Sequence, residues 1–231
     1  ETIVRDPVHG DVALTREEMR VLDTVEMQRL RSVRQLGMAY LVYPGAQHSR
    51  FEHSIGTAHL ATRMVNEINA VRERAADSRL GGYDEHELRI VRLAALVHDV
   101  THLPFGHNIE DQTGLLPRHD VPERFAAMFS EQTEVGRALA STGVRQEVLA
   151  ILAPSLAAPD AQAPDHWRAL ISGTIDADML DYLSRDALFT GLKLEYDPRI
   201  FSVFRVEKRT QRLYVDLGRQ GYLKEAVLSE V

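Results

Sequence analysis

The apolar positions of this chain fall mostly at the three-to-four residue spacing of one-sided helices. Residues 1–14, ETIVRDPVHGDVAL, break the pattern, and their Pro and Gly predict an extended segment with a turn. From Thr15 the spacing turns helical. Thr15 followed by Arg16-Glu17-Glu18 fits an N-cap with acids in the first turn, and the helix, or helix pair, is expected to reach about Leu36 and stop at Gly37. Residues 38–49, MAYLVYPGAQHS, read as a loop. A long helix is expected from about Arg50 to Ala75, then a turn in RLGGYD and a helix over 85–98. In that helix Leu88, Val91, Ala95 and His98 fall within an arc of about 80° at about 100° per residue, so His98 points where the core side chains point. Helices are expected at 121–131, 133–141, 143–152, 165–173 and 178–190, with APSLAAPDAQAP (153–164) as a loop. FSVFRVEK and RLYVDL, split by a polar turn, predict a β-hairpin, and the stretch from Tyr222 reads as helix. The expected fold is mainly α: a helical bundle with a small β-hairpin near the C-terminal end, with residues 1–231 as one domain and 200–231 leading into a further subdomain.

Bulk properties narrow the function. The 231 residues carry a net charge of −7, which argues against a broad nucleic-acid-binding surface but leaves room for a local basic pocket for a phosphorylated ligand. There are no cysteines, which excludes disulfides and thiolate metal sites and fits a cytoplasmic location. No apolar run reaches the length of a membrane-spanning helix. The chain starts with Glu and ends in a helix-like stretch, so it is expected to be part of a longer protein.

Ten histidines are present, most of them between residues 48 and 119. His98 and Asp99 end an apolar helix, and a buried imidazole beside a buried carboxylate needs partners, because uncompensated burial costs several kcal/mol. A divalent metal is one such partner. In RFEHSIGTAHLATRMV, His53 shares its stripe with Gly56, Leu60 and Met64 and also faces inward. In DADMLDYLSRDAL, Asp178, Asp181, Tyr182 and Arg185 share one helical face opposite Leu180, Leu183 and Ala187. That polar face reads either as the lining of a cleft or as a solvated face with an Asp181–Arg185 ion pair.

In order, His53, His98-Asp99 and Asp178 reproduce the H…HD…D signature, and the chain resembles the HD-domain metal-dependent phosphohydrolases. The blocks IVRDPVHGDVAL, DTVEMQRLRSVRQLG, YPGAQHSRFEHSIG, LVHDVTHLPFGH and LDYLSRDA are similar to successive blocks of the deoxynucleoside triphosphate triphosphohydrolase branch. The resemblance implies one divalent metal on His53, His98, Asp99 and Asp178. Two imidazoles and two carboxylates suit Mn, Fe, Zn or Ni, or less well Mg. It further implies that His107 protonates the leaving oxygen, supported by His102, Glu110 and His119, with Asp111 competing for the place of Glu110. Gln35 and Leu36 would contact the sugar, and Arg50, Tyr182 and Asp186 the phosphate and ribose. Leu36 also reads as plain core, and Arg50 as a partner of Glu52 or Asp178. Asp23, Gln28 and Arg31 match residues that read an activating nucleotide, and equally suit the solvated face of a charged helix.

Three departures stand out. Met179 replaces the phosphate-binding lysine of the vertebrate members, Thr2 stands near the place of a lysine of the activator site, and Val100-Thr101 replaces Leu-Gly. The resemblance implies hydrolysis of a dNTP to deoxynucleoside and triphosphate by a homo-oligomer. The alternatives are hydrolysis of another nucleotide (a monophosphate, cyclic nucleotide or alarmone) and a non-catalytic nucleotide-binding module.

Overall fold

A computed structural model describes residues 1–111 and 115–216. The chain opens with β1 (Thr2–Asp6) and β2 (Gly10–Leu14), paired antiparallel with Thr2 opposite Leu14. Helices α1 (Arg16–Leu22), α2 (Val25–Arg29) and α3 (Arg50–Ala75) follow, then the short β3 (Leu80–Gly81) and α4 (Glu85–Val97). After α4 come α5 (His107–Glu110), α6 (Pro122–Met128), α7 (Glu134–Thr142), α8 (Arg145–Leu152), α9 (Asp165–Ala169) and α10 (Ala177–Thr190). The strands β4 (Phe204–Glu207) and β5 (Arg212–Val215) complete a three-stranded antiparallel sheet in the order β3-β4-β5. The architecture is mainly α.

Three helices carry the frame, and their starts are written in side chains. Ser49 and Glu52 form a capping box at the start of α3, and Asp84 and Glu87 do the same for α4. Asp176 caps α10 by accepting from the Met179 N–H, and its second oxygen accepts from the Gly173 N–H. The long α3 packs along both α4 and α10. Its Ile55, Leu60 and Met64 meet a core that includes Ile90, Leu93 and Ala94 of α4 and Leu180 of α10. Each fully buried Leu or Ile contributes about 1.5–3 kcal/mol, which holds these helices at fixed separation.

Residues 1–14 are extended with a turn, as expected, and pair as two strands. Several other expectations need correction. The region 15–36 is a helix pair, one of the two readings expected, but it stops short of Leu36: α1 ends at Leu22, α2 is followed by a 3-10 turn at Leu30–Ser32, and an isolated bridge joins Arg34 to Ser49. Gly37 ends no helix. Its φ is +54°, and a Cβ there would lie 2.1 Å from Asn108 Oδ1 and 3.0 Å from the Phe105 carbonyl oxygen, so glycine lets the 103–108 loop close in. Residues 201–203, expected as the start of a hairpin strand, close a 3-10 helix over Pro198–Val203 instead, because Pro198 and the Asp197 cap favour a tight helical start. The helices expected at 121–131 and 165–173 stop short, at Met128 and Ala169. The helix expected from Tyr222 lies outside the described residues.

Candidate active site

The end of α4 and the starts of α3 and α10 meet at one point. His53 lies on the second turn of α3, Asp178 on the first turn of α10, and His98-Asp99 directly follow α4. His53 Nε2 is 2.8 Å from Asp178 Oδ1 and 3.7 Å from Asp99 Oδ2. His98 Nε2 is 3.5 Å from Asp99 Oδ1 and 3.6 Å from Asp178 Oδ1. The rings of the two histidines stand edge to face, 5.1 Å apart. All four expected metal ligands are therefore together.

The donor atoms test whether an ion fits. Both Nε2 atoms are buried and have no hydrogen-bond partner, despite the carboxylates beside them. The opposite nitrogens are committed: His53 Nδ1 is 2.7 Å from Asp181 Oδ2, and His98 Nδ1 is 2.6 Å from the Ala95 carbonyl oxygen. Carboxylate and carbonyl only accept, so each Nδ1 donates and each Nε2 is the free edge. Burial opposes a charge on His53, but Asp178 and Asp181 outweigh it and push the imidazole up to about 10. Asp99 is held well below the usual carboxylate range: burial opposes this, and the cationic Arg50 and neighbouring histidines prevail. Acidic side chains thus surround two unpartnered nitrogens, and a divalent cation would satisfy both.

A second group adjoins the first. His102 Nε2 lies 3.2 Å from Asp99 Oδ1, and its ring stacks on His119 at 3.6 Å. His119 Nδ1 donates to Glu110 Oε2 at 2.8 Å, and Glu110 Oε1 takes Arg124 Nη1 at 3.3 Å. His107 stands 5.1–5.2 Å from both rings, with half its side chain exposed. Its pKa is lowered by burial and by the positive surroundings of His119 and Arg50. His102, buried more deeply, is pushed down to about 4. His102, His107 and His119 are close enough to hold an ion of their own. The face-to-face stack of His102 and His119 sets their in-plane nitrogens side by side rather than converging on one point. Asp111 points away, is exposed, and lies 3.5 Å from Arg118.

The remaining expected contacts are placed unevenly. Arg50 is buried and donates to Asp99 Oδ2, pairing with neither Glu52 nor Asp178. Its other nitrogen reaches the Gln35 carbonyl at 3.5 Å. Asp186 takes His48 Nε2 at 2.8 Å. Tyr182 and Leu36 are half-buried, and the Tyr182 hydroxyl is pushed up by burial and by Asp178, Asp176 and Asp186. Asp23, Gln28 and Arg31 line one cavity of about 190 Å³ between α1, α2 and the β1–β2 turn, together with Asp6 and Phe51. Gln28 and Arg31 bond each other there, and Arg31 lies over the Phe51 ring.

Several residues around the site were foreseen only in part or not at all. Asp181 and Arg185 form the foreseen i, i+4 pair, but both are fully buried rather than solvated. Arg29 donates to the carbonyls of Val100 and His102 at 2.7 Å each, fixing the loop after Asp99. His9, Asp6 and His48 belong to the surroundings of the site through Asp181, Arg185 and Asp186. Only the DADMLDYLSRD pattern carried a usable signal, for Asp181 and Arg185. The other contacts span at least 70 residues of chain.

Residues 50–185 match the HD domain family. Uncharacterized protein YwfO of Bacillus subtilis is 35% identical over 83% of this chain and 41% of its own length. Deoxynucleoside triphosphate triphosphohydrolase SAMHD1 of Bos taurus is 29% identical over 87% of this chain and 38% of its own. The crystal structure of a hypothetical protein from Aquifex aeolicus is similar with a TM-score of 0.75 at 30% identity, covering 99% of this chain and 57% of that one. The chain spans about two-fifths of the length of these two curated relatives.

Proposed function

Since the chain belongs to the HD domain family, we propose that it is a metal-dependent phosphohydrolase that cleaves a dNTP into deoxynucleoside and triphosphate. The observation that carries this reading is the pairing of two unpartnered Nε2 atoms, on His53 and His98, with a histidine–glutamate cluster that begins 3.2 Å from Asp99. His53, His98, Asp99 and Asp178 would hold the metal. Bound there, a divalent ion supplies Lewis acidity toward a phosphate oxygen and the attacking water.

The chain's own groups account for the rest. Water attacks the α-phosphorus, the bond from phosphorus to the 5′ oxygen breaks, and that oxygen needs a proton. His107 is the most exposed histidine of its cluster and the one a substrate meets first. Neutral in the free protein, it gains a proton when a polyphosphate brings negative charge beside it, because an anion favours the charged imidazole. His102, His119 and Glu110 pass and hold the proton behind it, and Arg50 keeps Asp99 ionised. Gln35, Leu36, Tyr182 and Asp186 form the sugar side of the pocket. An activating nucleotide would sit in the cavity of Asp23, Gln28 and Arg31. Homo-oligomerisation belongs to the same reading and is supported by the apolar loop where Leu41 and Val42 are 70% and 75% exposed.

A specific feature favours a second reading. Met179 follows Asp178 without charge and Arg50 is already spent on Asp99, so cations for a long phosphate tail are few. A nucleotide with a shorter phosphate chain fits that. The test is to incubate the full-length protein with each dNTP and Mn²⁺, with and without GTP, and to identify the products. Free deoxynucleoside with tripolyphosphate is the expected result. Orthophosphate or pyrophosphate release moves the assignment to the second reading, and no turnover of any nucleotide across several metals overturns both.

A further inference from the structure

Asp178 and Asp181 both lie on α10, one turn apart, yet they have opposite situations. Asp178 keeps a third of its side chain exposed, whereas Asp181 is wholly enclosed. Asp181 Oδ2 accepts from His53 Nδ1 at 2.7 Å and from Arg185 Nε at 2.8 Å. Its Oδ1 accepts from His9 Nε2 at 2.6 Å and from Arg185 Nη2 at 2.9 Å. A carboxylate offers about four lone-pair sites, and all are taken, so Asp181 has no capacity left for a metal. The chain extends one step further: Arg185 Nη1 donates to Asp6 Oδ2 at 2.8 Å, and Asp6 Oδ1 receives the backbone N–H groups of Val8 and His9 at 2.9 Å each. Room for this arrangement exists only because residue 56 is glycine. A Cβ there would lie 1.9 Å from Asp181 Oδ1 and 2.4 Å from Arg185 Nη2.

We infer that Asp181 is a positioning residue for the metal centre: clamped by Arg185, Asp6 and His9, it fixes the ring of His53 and its Nδ1–H, so that Nε2 alone faces the ion. His98 is oriented by a neutral carbonyl, His53 by a carboxylate, which raises the ligand's basicity as well as aiming it. The β1–β2 turn, carrying Asp6 and His9, is thereby part of the metal site although it supplies no ligand. This rests only on the metal-binding half of the proposed function.

The test measures the ion rather than turnover. Mn²⁺ affinity of the full-length protein is determined by electron paramagnetic resonance for the parent, Asp181→Asn, Asp6→Asn and His9→Gln. Asp181→Asn is expected to weaken binding by about 10–100-fold, and Asp6→Asn and His9→Gln less, in folded protein. In the Zn²⁺-loaded, ¹⁵N-histidine-labelled protein, the His53 Nδ1 proton is expected far downfield and slow to exchange. It should move upfield in Asp181→Asn, a shift that general destabilisation does not produce. If Asp181→Asn fails to fold, the two peripheral variants decide. Mn²⁺ affinity within twofold of the parent, in Asp181→Asn or in both peripheral variants, overturns the inference. Intact metal affinity with no nucleotide hydrolysis in the parent would overturn the proposed function and leave this inference standing.

Discussion

At the scale of single residues, the site separates neighbours that look alike in sequence. Glu110 and Asp111 are adjacent acids, but Glu110 is buried against His119 and Arg124 while Asp111 is exposed near Arg118. Burial opposes the charge on Glu110, and the bond from His119 outweighs it and keeps the carboxylate below its usual range. Glu110→Gln is therefore expected to lower the turnover number by about 10²-fold, within the range for a proton-transfer partner, and Asp111→Asn to change it less than about twofold. Steady-state rates of the two variants, each checked for folding by circular dichroism, decide the matter. Equal loss in both would remove Glu110 from the relay. Asp181 shows why such distinctions were only partly legible. The sequence puts it on a helix face with Arg185, but an i, i+4 pair has the same spacing whether solvated or enclosed. Only the approach of α3 at Gly56 and of the β1–β2 turn seals it in.

At the scale of elements, helix starts were legible because their signals are local: the cap read at Thr15 is present, with Glu18 completing its box, and the helices expected from about Arg50 and from 85 start there. The β3-β4-β5 sheet was half legible, since β4 and β5 are sequential, whereas β3 is two residues long and joins them from far upstream. Beneath this sheet lies His166 of α9. Its ring Nδ1 donates to the Gln211 carbonyl at 3.1 Å, its Nε2 is buried without a partner, and the Tyr83 ring meets it edge-on. Burial lowers its pKa from the usual 6.5. The sign follows: below that value the unfolded chain takes up a proton that the folded state resists, so stability is full above it and falls as the pH drops. His166→Gln keeps a donor for Gln211 and cannot titrate. Its melting temperature should fall less than the parent's between pH 7.5 and 5.5. Parallel melting curves across that range would show that His166 does not contribute.

At the scale of the molecule, the proposed metal ligands come from three helices, or the residues directly after them, whose packing is the core itself. The α3–α4–α10 contacts hold His53, His98-Asp99 and Asp178 in register, so the site and the fold stand on the same side chains. That is why the H…HD…D order was informative in sequence, while the surroundings contributed by residues 6, 9 and 29 were not: they are brought in by tertiary contacts that no local pattern announces. Without an ion, the Nε2 atoms of His53 and His98 stay buried with no hydrogen-bond partner. Adding a divalent metal at about 100 times its dissociation constant should stabilise the full-length protein by about 2.7 kcal/mol, or roughly 5–10 °C in melting temperature for a domain of this size. Chelation should reverse the gain. Calorimetry with and without Mn²⁺ checks this, and unchanged melting would count against a metal at these residues.

The clamp of Arg29 on the carbonyls of Val100 and His102 has a consequence for how such a chain can change over time. Backbone oxygens are the same whatever side chains stand there, so this anchor places little demand on the identities of residues 100–102. The chain has used that latitude at Thr101, whose hydroxyl donates to the His119 carbonyl at 2.7 Å, a tether that the glycine of the vertebrate pattern could not make. The dipeptide after His98-Asp99 is thus a place where sequence drift can retune the loop that carries His102 while the proposed metal ligands stay as they are.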